Sequence, residues 1–350
     1  MRVVIFGATG NVGTSTLRAL AAEDAVRTIV GVSRRRPALR AAKTTWAQAD
    51  IASADLDGLV RGADAIVHAA WLIQPGRHES VTHATNVTGS ARVFAAAARA
   101  GVRTLVHLSS VGAYAPGPKD RAVDESWATT GIPTSFYSRH KAAVERVLDT
   151  FTAAHPAVRV VRLRPGLIFK REAGSEVRRL FAGPLLPNGL LRRGLIQVVP
   201  DTPRLRFQAV HSLDVGQAVR LALVGDASGA FNVAAEPVLD PAVLGELLGA
   251  RPVPVPAAAL RAAAGLSFRL RLQPSEPGWL DLALGVPIME TRRAHAELGW
   301  QPRHDAGAAF LEVLDGIRES AGLDTPPLAP DSGGAARLRE LLGGVGGASR

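Results

Sequence analysis

Residues 3–22 read VVIFGATGNVGTSTLRALAA. Val3–Phe6 is a short, wholly apolar run, the pattern of a strand buried on both faces. Gly7, Gly10 and Gly13 follow at i, i+3 and i+6, and beyond them the apolar residues recur at helical spacing. A strand, a glycine turn and a helix in that order predict the first unit of a parallel α/β sheet. Glycines so spaced let the backbone turn sharply and approach a pyrophosphate, which then rests on the helix N-terminus. Gly7, Thr9, Gly10, Asn11, Val12 and Gly13 are therefore candidate contacts for a dinucleotide. An ordinary strand–helix turn is the simpler alternative.

The rhythm continues for about 165 residues. TIVGVS (28–33), AIVHAA (65–70), TLVHLSS (104–110) and VRVVRLRP (158–165) read as further strands. Between them NVTGSARVFAAAARA reads as a helix that Gly101 caps. After Pro165 the pattern loosens. Residues 170–206 are rich in Arg, Gly and Pro, 207–224 read as a strand and helix returning to the main sheet, and 305–320 as a closing helix. The expected organisation is a dinucleotide-binding domain over 1–169 with 207–228 returning to it, and a smaller lobe from 170–206 and 229–322. The low-complexity tail 323–350 is expected to be disordered around one short helix.

Composition narrows the function classes. Apolar residues make up 47% and charged residues 21%, so a folded globular body is expected. No apolar run reaches the length of a membrane span, and the N-terminus lacks the pattern of a signal peptide, which favours a cytoplasmic protein. The absence of cysteine excludes disulfides, thiolate catalysis and Cys-ligated metals. Of the 41 basic residues only four are lysine, and the arginines form no aromatic-interleaved stripe, so the net charge of +10 does not indicate nucleic-acid binding.

Two further stretches carry chemistry. The second strand ends Ser33-Arg34-Arg35-Arg36, with no carboxylate between Thr28 and Asp50. An acidic residue there would suit the ribose hydroxyls of NAD, whereas arginine accommodates a 2′-phosphate, so NADP is expected over the alternative NAD. The run FYSRHKAAVE (136–145) places Lys141 four residues after Tyr137, on one helix face. A nearby ammonium favours phenolate, as a general acid/base requires. An amphipathic Tyr beside a solvated Lys fits the same spacing.

Taken together, the chain resembles the extended short-chain dehydrogenase/reductases of the NAD-dependent epimerase/dehydratase type. The anchors are Gly7, Gly10 and Gly13; Asp50-Ile51; His68-Ala69-Ala70; Asn86-Val87-Thr88-Gly89; Ser109-Ser110; Tyr137 with Lys141; and Arg164-Pro165. The resemblance implies a Rossmann-type doubly wound α/β sheet with a smaller C-terminal substrate lobe. It implies cofactor contacts at Asp50 and Ile51 (adenine), Ala69 and Ala70 (strand end), Ser33, Arg34, Arg35 and Pro165. It further implies that Ser110 hydrogen-bonds the reacting oxygen, that Tyr137 transfers the proton, that Lys141 holds the nicotinamide ribose and lowers the tyrosine pKa, and that Asn86 orders the lysine and a relay water.

Departures from the family pattern bear on the reaction. Val111 and Gly112 stand where sugar-nucleotide dehydratases carry Asp-Glu, so dehydration is not expected. Leu167 replaces the Asn of sugar-nucleotide epimerases, and Arg206-Phe207-Gln208-Ala209-Val210-His211 alters another family run. The segment Val177–Leu186, where the family inserts its substrate lobe, offers arginines for an acidic group or an apolar lining. The expected activity is NADP(H)-dependent oxidation or reduction of a small, rather apolar alcohol or ketone. A nucleotide-sugar 4-epimerase retaining NAD and a non-catalytic dinucleotide-binding protein are the rivals. A homodimer stays open.

Overall fold

The computed structural model describes residues 1–74, 76–181 and 194–330. Seven parallel strands form the central sheet: β1 Arg2–Phe6, β2 Thr28–Ser33, β3 Thr44–Gln48, β4 Ala65–His68, β5 Thr104–Leu108, β6 Arg159–Pro165 and β7 Gly229–Val233. Their order is β7-β6-β5-β4-β1-β2-β3, so the winding reverses between β1 and β4. In doubly wound sheets the ligand crevice opens at that reversal, outside the carboxyl ends of the strands. Phe6 pairs with Val32 on one side and His68 on the other, which brings the glycine turn and residues 69–70 to one rim.

Val3, Val4, Ile5, Phe6, Ile66, Val67, Leu105 and Val106 are all fully buried, as expected for strands covered on both faces. The helices that flank this sheet include α1 Asn11–Ala21, α2 Ser90–Arg99, α3 Phe136–Ala154 and, further along the chain, Ser212–Val224. The last packs tightly on α1, where Ser15 Oγ and Ser212 Oγ lie 2.8 Å apart. The smaller lobe carries α4 Gly174–Phe181, and Ser212–Val224 is numbered α5; α6 Ala257–Arg269 and α7 Gly278–Gly285 complete its helices near the site.

The structure redraws two expected boundaries. Phe207–His211 does not rejoin the main sheet; it lies between Leu167–Phe169 and Ala235–Leu239 in a three-stranded sheet. The place beside β6 is taken instead by β7, so residues 229–233 belong to the main sheet and not to the lobe. The tail expected to be disordered is ordered as far as Pro330. Leu39 N donates to Asp324 O at 3.1 Å, Thr325 Oγ1 donates to Thr9 O at 2.9 Å, and Leu328 is fully buried. A proline-rich composition concealed the two residues, Thr325 and Leu328, that dock this stretch. Residues 331–350 lie outside the described residues. No described helix is long and apolar enough to cross a membrane.

Candidate active site

The glycine turn is shaped by contacts that only glycine allows. Gly7 has φ +83°, and a Cβ there would stand 2.5 Å from Ala70 N; one on Gly13 would stand 2.1 Å from Gly7 O. A Cβ on Gly10, the N-cap of α1, would meet only Gly7 O at 3.6 Å, so the helix N-terminus opens outward there. A tight cradle below an open helix N-terminus fits a dinucleotide pyrophosphate. Thr9, Asn11 and Val12 complete the turn. Asn11 Nδ2 donates to Ile168 O at 3.1 Å, which ties it to the strand Leu167–Phe169. Ala69 and Ala70 close the far wall of the cradle, and Pro165 ends β6 on the same edge of the sheet.

At the end of β2 the Ser33 hydroxyl donates to Arg35 O at 2.8 Å and sets the turn that presents Arg34 and Arg35. Both arginines are exposed. Although the Arg34 residue is open to solvent, partial desolvation of its guanidinium lowers the pKa; Asp50 opposes this, while Arg35 and Arg179 add to it. Arg179, from α4 in the lobe, thus joins the two predicted arginines in one basic cluster. Asp50 Oδ1 accepts from Ala52 N at 2.9 Å, and Ile51 is buried against Gly89, so both shape the turn after β3.

Tyr137 opens the first turn of α3, whose N-cap Ser135 accepts from Ser138 N. The tyrosine ring lies on Gly112: a Cβ there would stand 2.8 Å from Tyr137 Cε1. That contact is the physical counterpart of the missing Asp-Glu, because a side chain at 112 would displace the phenol. Ser110 Oγ accepts from Gly112 N at 3.0 Å and hydrogen-bonds the Tyr137 hydroxyl. Burial pushes the phenol up to about 12, with the Ser110 bond opposing. The expected depression by Lys141 is therefore not found. Its ammonium donates to Leu108 O at 2.8 Å and lies 3.6 Å above the Trp71 ring, while the Tyr137 ring centre is 5.8 Å away. Burial draws Lys141 down to about 7, and Glu145 opposes.

Asn86 also differs from expectation. It sits in a π-helical turn, Ala84–Gly89, and its amide grips the backbone of Leu72 from both sides: Oδ1 accepts from Leu72 N at 2.7 Å and Nδ2 donates to Leu72 O at 2.8 Å. Beyond that, Asn86 Nδ2 lies 3.5 Å from His140 Nδ1, so its amide is turned to the loop and to His140. The residue fixes the loop that carries Trp71.

Trp71 was not read from the sequence, although it directly follows Ala69-Ala70. It stands edge-on to Tyr137 at 5.8 Å, and its indole N–H is buried without a hydrogen-bond partner. On the other side Trp279 of α7 tilts over Tyr137 at 5.0 Å, and Phe181 of α4 meets Trp279 at 4.9 Å. Nothing in local sequence pattern links residues 71, 137, 181 and 279; the lobe brings them together. Of the segment 177–186, residues 182–186 lie outside the described residues. Arg178 is buried, so it does not stand open to a ligand. Leu167 is 45% exposed, whereas Gln208 spends both ends of its amide on Met289 and lines nothing.

Glu145, one turn beyond Lys141 on α3, was missed as well. Arg164 Nε donates to its Oε1 at 2.9 Å, Arg162 Nη1 to its Oε2 at 2.9 Å, and Ser109 Oγ to Oε1 at 2.6 Å. Burial alone would raise this carboxyl; the arginines and Ser109 hold it down at about 2. The Tyr137, Lys141, Glu145 spacing of i, i+4, i+8 was the available signal.

Comparison with known proteins bears on the family and the fold. The first curated relatives, uncharacterised proteins of Mycobacterium including M. tuberculosis, are 26% identical over 326 residues, and the chain spans 31% of their length. A second M. tuberculosis protein is 24% identical over 327 residues, covering 90% of this chain and 83% of its own. A ketoreductase of Stigmatella aurantiaca is 30% identical over 174 residues, 48% of this chain and 51% of its own. Among solved structures, a UDP-glucose 4-epimerase of Thermotoga maritima superposes with a TM-score of 0.66 at 17% identity, over 91% of this chain and 99% of that one. A dTDP-glucose 4,6-dehydratase of Streptomyces venezuelae does so at 0.64 and 19%, over 91% and 97%. At such identities the structures speak for the fold. The family model described as the NAD dependent epimerase/dehydratase family matches residues 3–234, and with the glycine cradle, Ser110, Tyr137 and Lys141 all inside that span, the chain belongs to this family.

Proposed function

We propose that the chain is an NADP(H)-dependent oxidoreductase that interconverts a rather apolar ketone and its alcohol. The observation that carries this reading is the setting of Tyr137, a Ser110-bonded phenol flanked by Trp71 and Trp279, with Phe181 beyond. Such walls favour an aliphatic or aromatic group, which gains about 25 cal/mol per Å² removed from water. Among the described residues these aromatic walls bring no charge to match a sugar diphosphate, and burying one unpaired costs several kcal/mol. The Stigmatella relative is named as a ketoreductase of a quinoline oxide carrying a farnesyl chain.

The bound cofactor would supply or accept the hydride at the carbonyl carbon. The protein's part is the oxygen. In the reductive direction Tyr137 gives its proton to the forming alkoxide and Ser110 donates a hydrogen bond to the same oxygen. A phenol held near 12 is fully protonated at neutral pH, which suits it as the acid. Lys141 would hold the cofactor's ribose hydroxyls and support the tyrosinate by its charge. Asn86 acts at one remove, by holding the Trp71 loop.

The test is a panel of uncharged aliphatic and aromatic ketones with NADPH, run beside UDP-sugars. Turnover of ketones with weak sugar-nucleotide binding is expected. Micromolar binding of a UDP-sugar with no ketone turned over would restore the epimerase, and tight NADPH binding with no turnover of either would favour a dinucleotide sensor.

Cofactor choice rests on Arg34, Arg35 and Arg179. A charge-assisted contact contributes about 1.5–3 kcal/mol, so NADPH should bind roughly ten- to a hundredfold more tightly than NADH. Titration of nicotinamide fluorescence measures both constants. Arg34→Ala should weaken NADPH and leave NADH almost unchanged; equal constants in the native chain would remove the basis for the preference.

A further inference from the structure

Among the described residues, the lobe helix α6 turns an apolar side outward. No residue of α6, Ala257–Arg269, is buried. Ala259, Ala262, Ala263, Leu266 and Leu270 fall on one side at helical spacing and are all exposed, the two leucines at 60% each. Leu272, just past the helix end, is 46% exposed. The opposite side is anchored, which fixes the rotation of the helix. The Arg77 guanidinium lies 3.8 Å above the Phe268 ring, and Gln273 Nε2 donates to Ala264 O at 3.2 Å and Ser267 Oγ at 3.1 Å. Single exposed leucines are normal, but a continuous apolar side marks an interaction surface. Arg269 and Arg271, both exposed, stand at the C-terminal end of this patch.

We propose that α6 docks on a membrane surface bearing acidic headgroups, with Leu266, Leu270 and Leu272 at the acyl boundary and Arg269 and Arg271 at the phosphates. Interfacial helices combine these features: an apolar side that enters the boundary and arginines that meet anionic lipid. Charge selects the occupant. A second copy would bring another chain of formal charge +10, with its own Arg269 and Arg271, against a patch of few leucines. An acidic bilayer neutralises the same charge and attracts it from a distance. The connection that follows α6 borders the aromatic site. Ser275 Oγ donates to Leu180 O at 3.4 Å and to Phe181 O at 3.5 Å, which holds Phe181 beside the connection from α6 to α7. If the function proposed above holds, a lipophilic ketone has a short route from the bilayer past Phe181 and Trp279; the docking itself does not depend on it.

Flotation of the full chain with phosphatidylcholine vesicles, with and without phosphatidylglycerol, tests the proposal. Binding to the anionic vesicles should exceed binding to the neutral ones by about tenfold or more, and should weaken as salt rises. Leu266→Ser with Leu270→Ser should lower it by roughly a hundredfold, and Arg269→Gln with Arg271→Gln by about tenfold while removing most of the salt dependence. Thermal melting and NADPH binding, both expected to be unchanged, show that the variants are folded. Failure to float with anionic vesicles, or undiminished flotation of the folded leucine variant, would overturn the proposal. So would a concentration-dependent dimer that the leucine variant dissociates, which would assign the patch to a second copy.

Discussion

Tyr137→Phe is expected to lower turnover of a ketone substrate by at least about a hundredfold, the low end for loss of a general acid. The hydroxyl's bond is to Ser110, and the ring keeps its contacts with Gly112, Trp71 and Trp279 in the phenylalanine variant. The fold should therefore persist, and the loss should fall on kcat with little change in the dissociation constant of NADPH. Single-turnover mixing with NADPH reads the chemical step directly. Near-normal turnover in the variant would sink the assignment. A parallel loss in NADPH affinity would mean instead that the ring, and not the proton, was being tested.

The unliganded pKa values add a consequence. Burial holds Tyr137 at about 12 and draws Lys141 to about 7. A buried lysine lowered in this way carries its charge below about pH 7 and loses it above. Support of the tyrosinate formed in the reductive step should therefore fade as pH rises through that value. Reduction should be favoured on the acid side by the same group.

The sheet was legible because parallel strands buried on both faces are apolar runs, and Val3–Phe6, Ala65–His68 and Thr104–Leu108 are such runs. Strand β3, Thr44–Gln48, escaped notice because it lies at the edge and none of its residues is buried. The misplaced strand Phe207–His211 looked like a return to the sheet, since a strand before a helix fits either position. Only the pairing of β7 with β6 decides between them. The i, i+4 spacing singled out Tyr137 and Lys141, and the family resemblance added Ser110; the relation of the three is local or set by adjacent strand ends. Trp279, Phe181 and Arg179 come from the lobe, and Thr325 from a tail of low complexity. Their contacts are set by how lobe and sheet pack, which no spacing along the chain encodes. The pKa of Tyr137 was misjudged for a related reason. A shared helix face brings two side chains near each other, but Leu108 O and the Trp71 ring determine where the ammonium rests.

Glu145→Ala should destabilise the fold by about 3–5 kcal/mol, the cost of removing one partner from a buried ion pair. The carboxylate is fully buried and joins α3 to β6 through Arg164 and Arg162, and to the active-site strand end through Ser109. Arg164 in turn donates to Tyr114 Oη at 3.0 Å, and Tyr114 donates to Asn232 Oδ1 of β7 at 2.6 Å. Without Glu145, the Arg164 guanidinium is left buried with hydrogen bonds but no counter-charge. Replacing both partners by apolar residues, as in Glu145→Leu with Arg164→Met, should cost much less than the single change. The pH dependence has a definite sign. A carboxyl lowered from 4.5 to about 2 contributes stability that is fully present above 4.5 and is lost as pH falls through the folded value. The size of that contribution is about 3 kcal/mol at 1.36 kcal/mol per unit. Chemical denaturation of the native chain between neutral pH and acid should show this loss, and Glu145→Gln should show a shallower slope over the same window. The Gln variant should also draw Lys141 lower still, because Glu145 is the charge that opposes its burial. The acid-side advantage of reduction should then move to lower pH. A native-like melting temperature for Glu145→Ala, or an unchanged acid slope for Glu145→Gln, would show that the cluster under the active site contributes little to the fold.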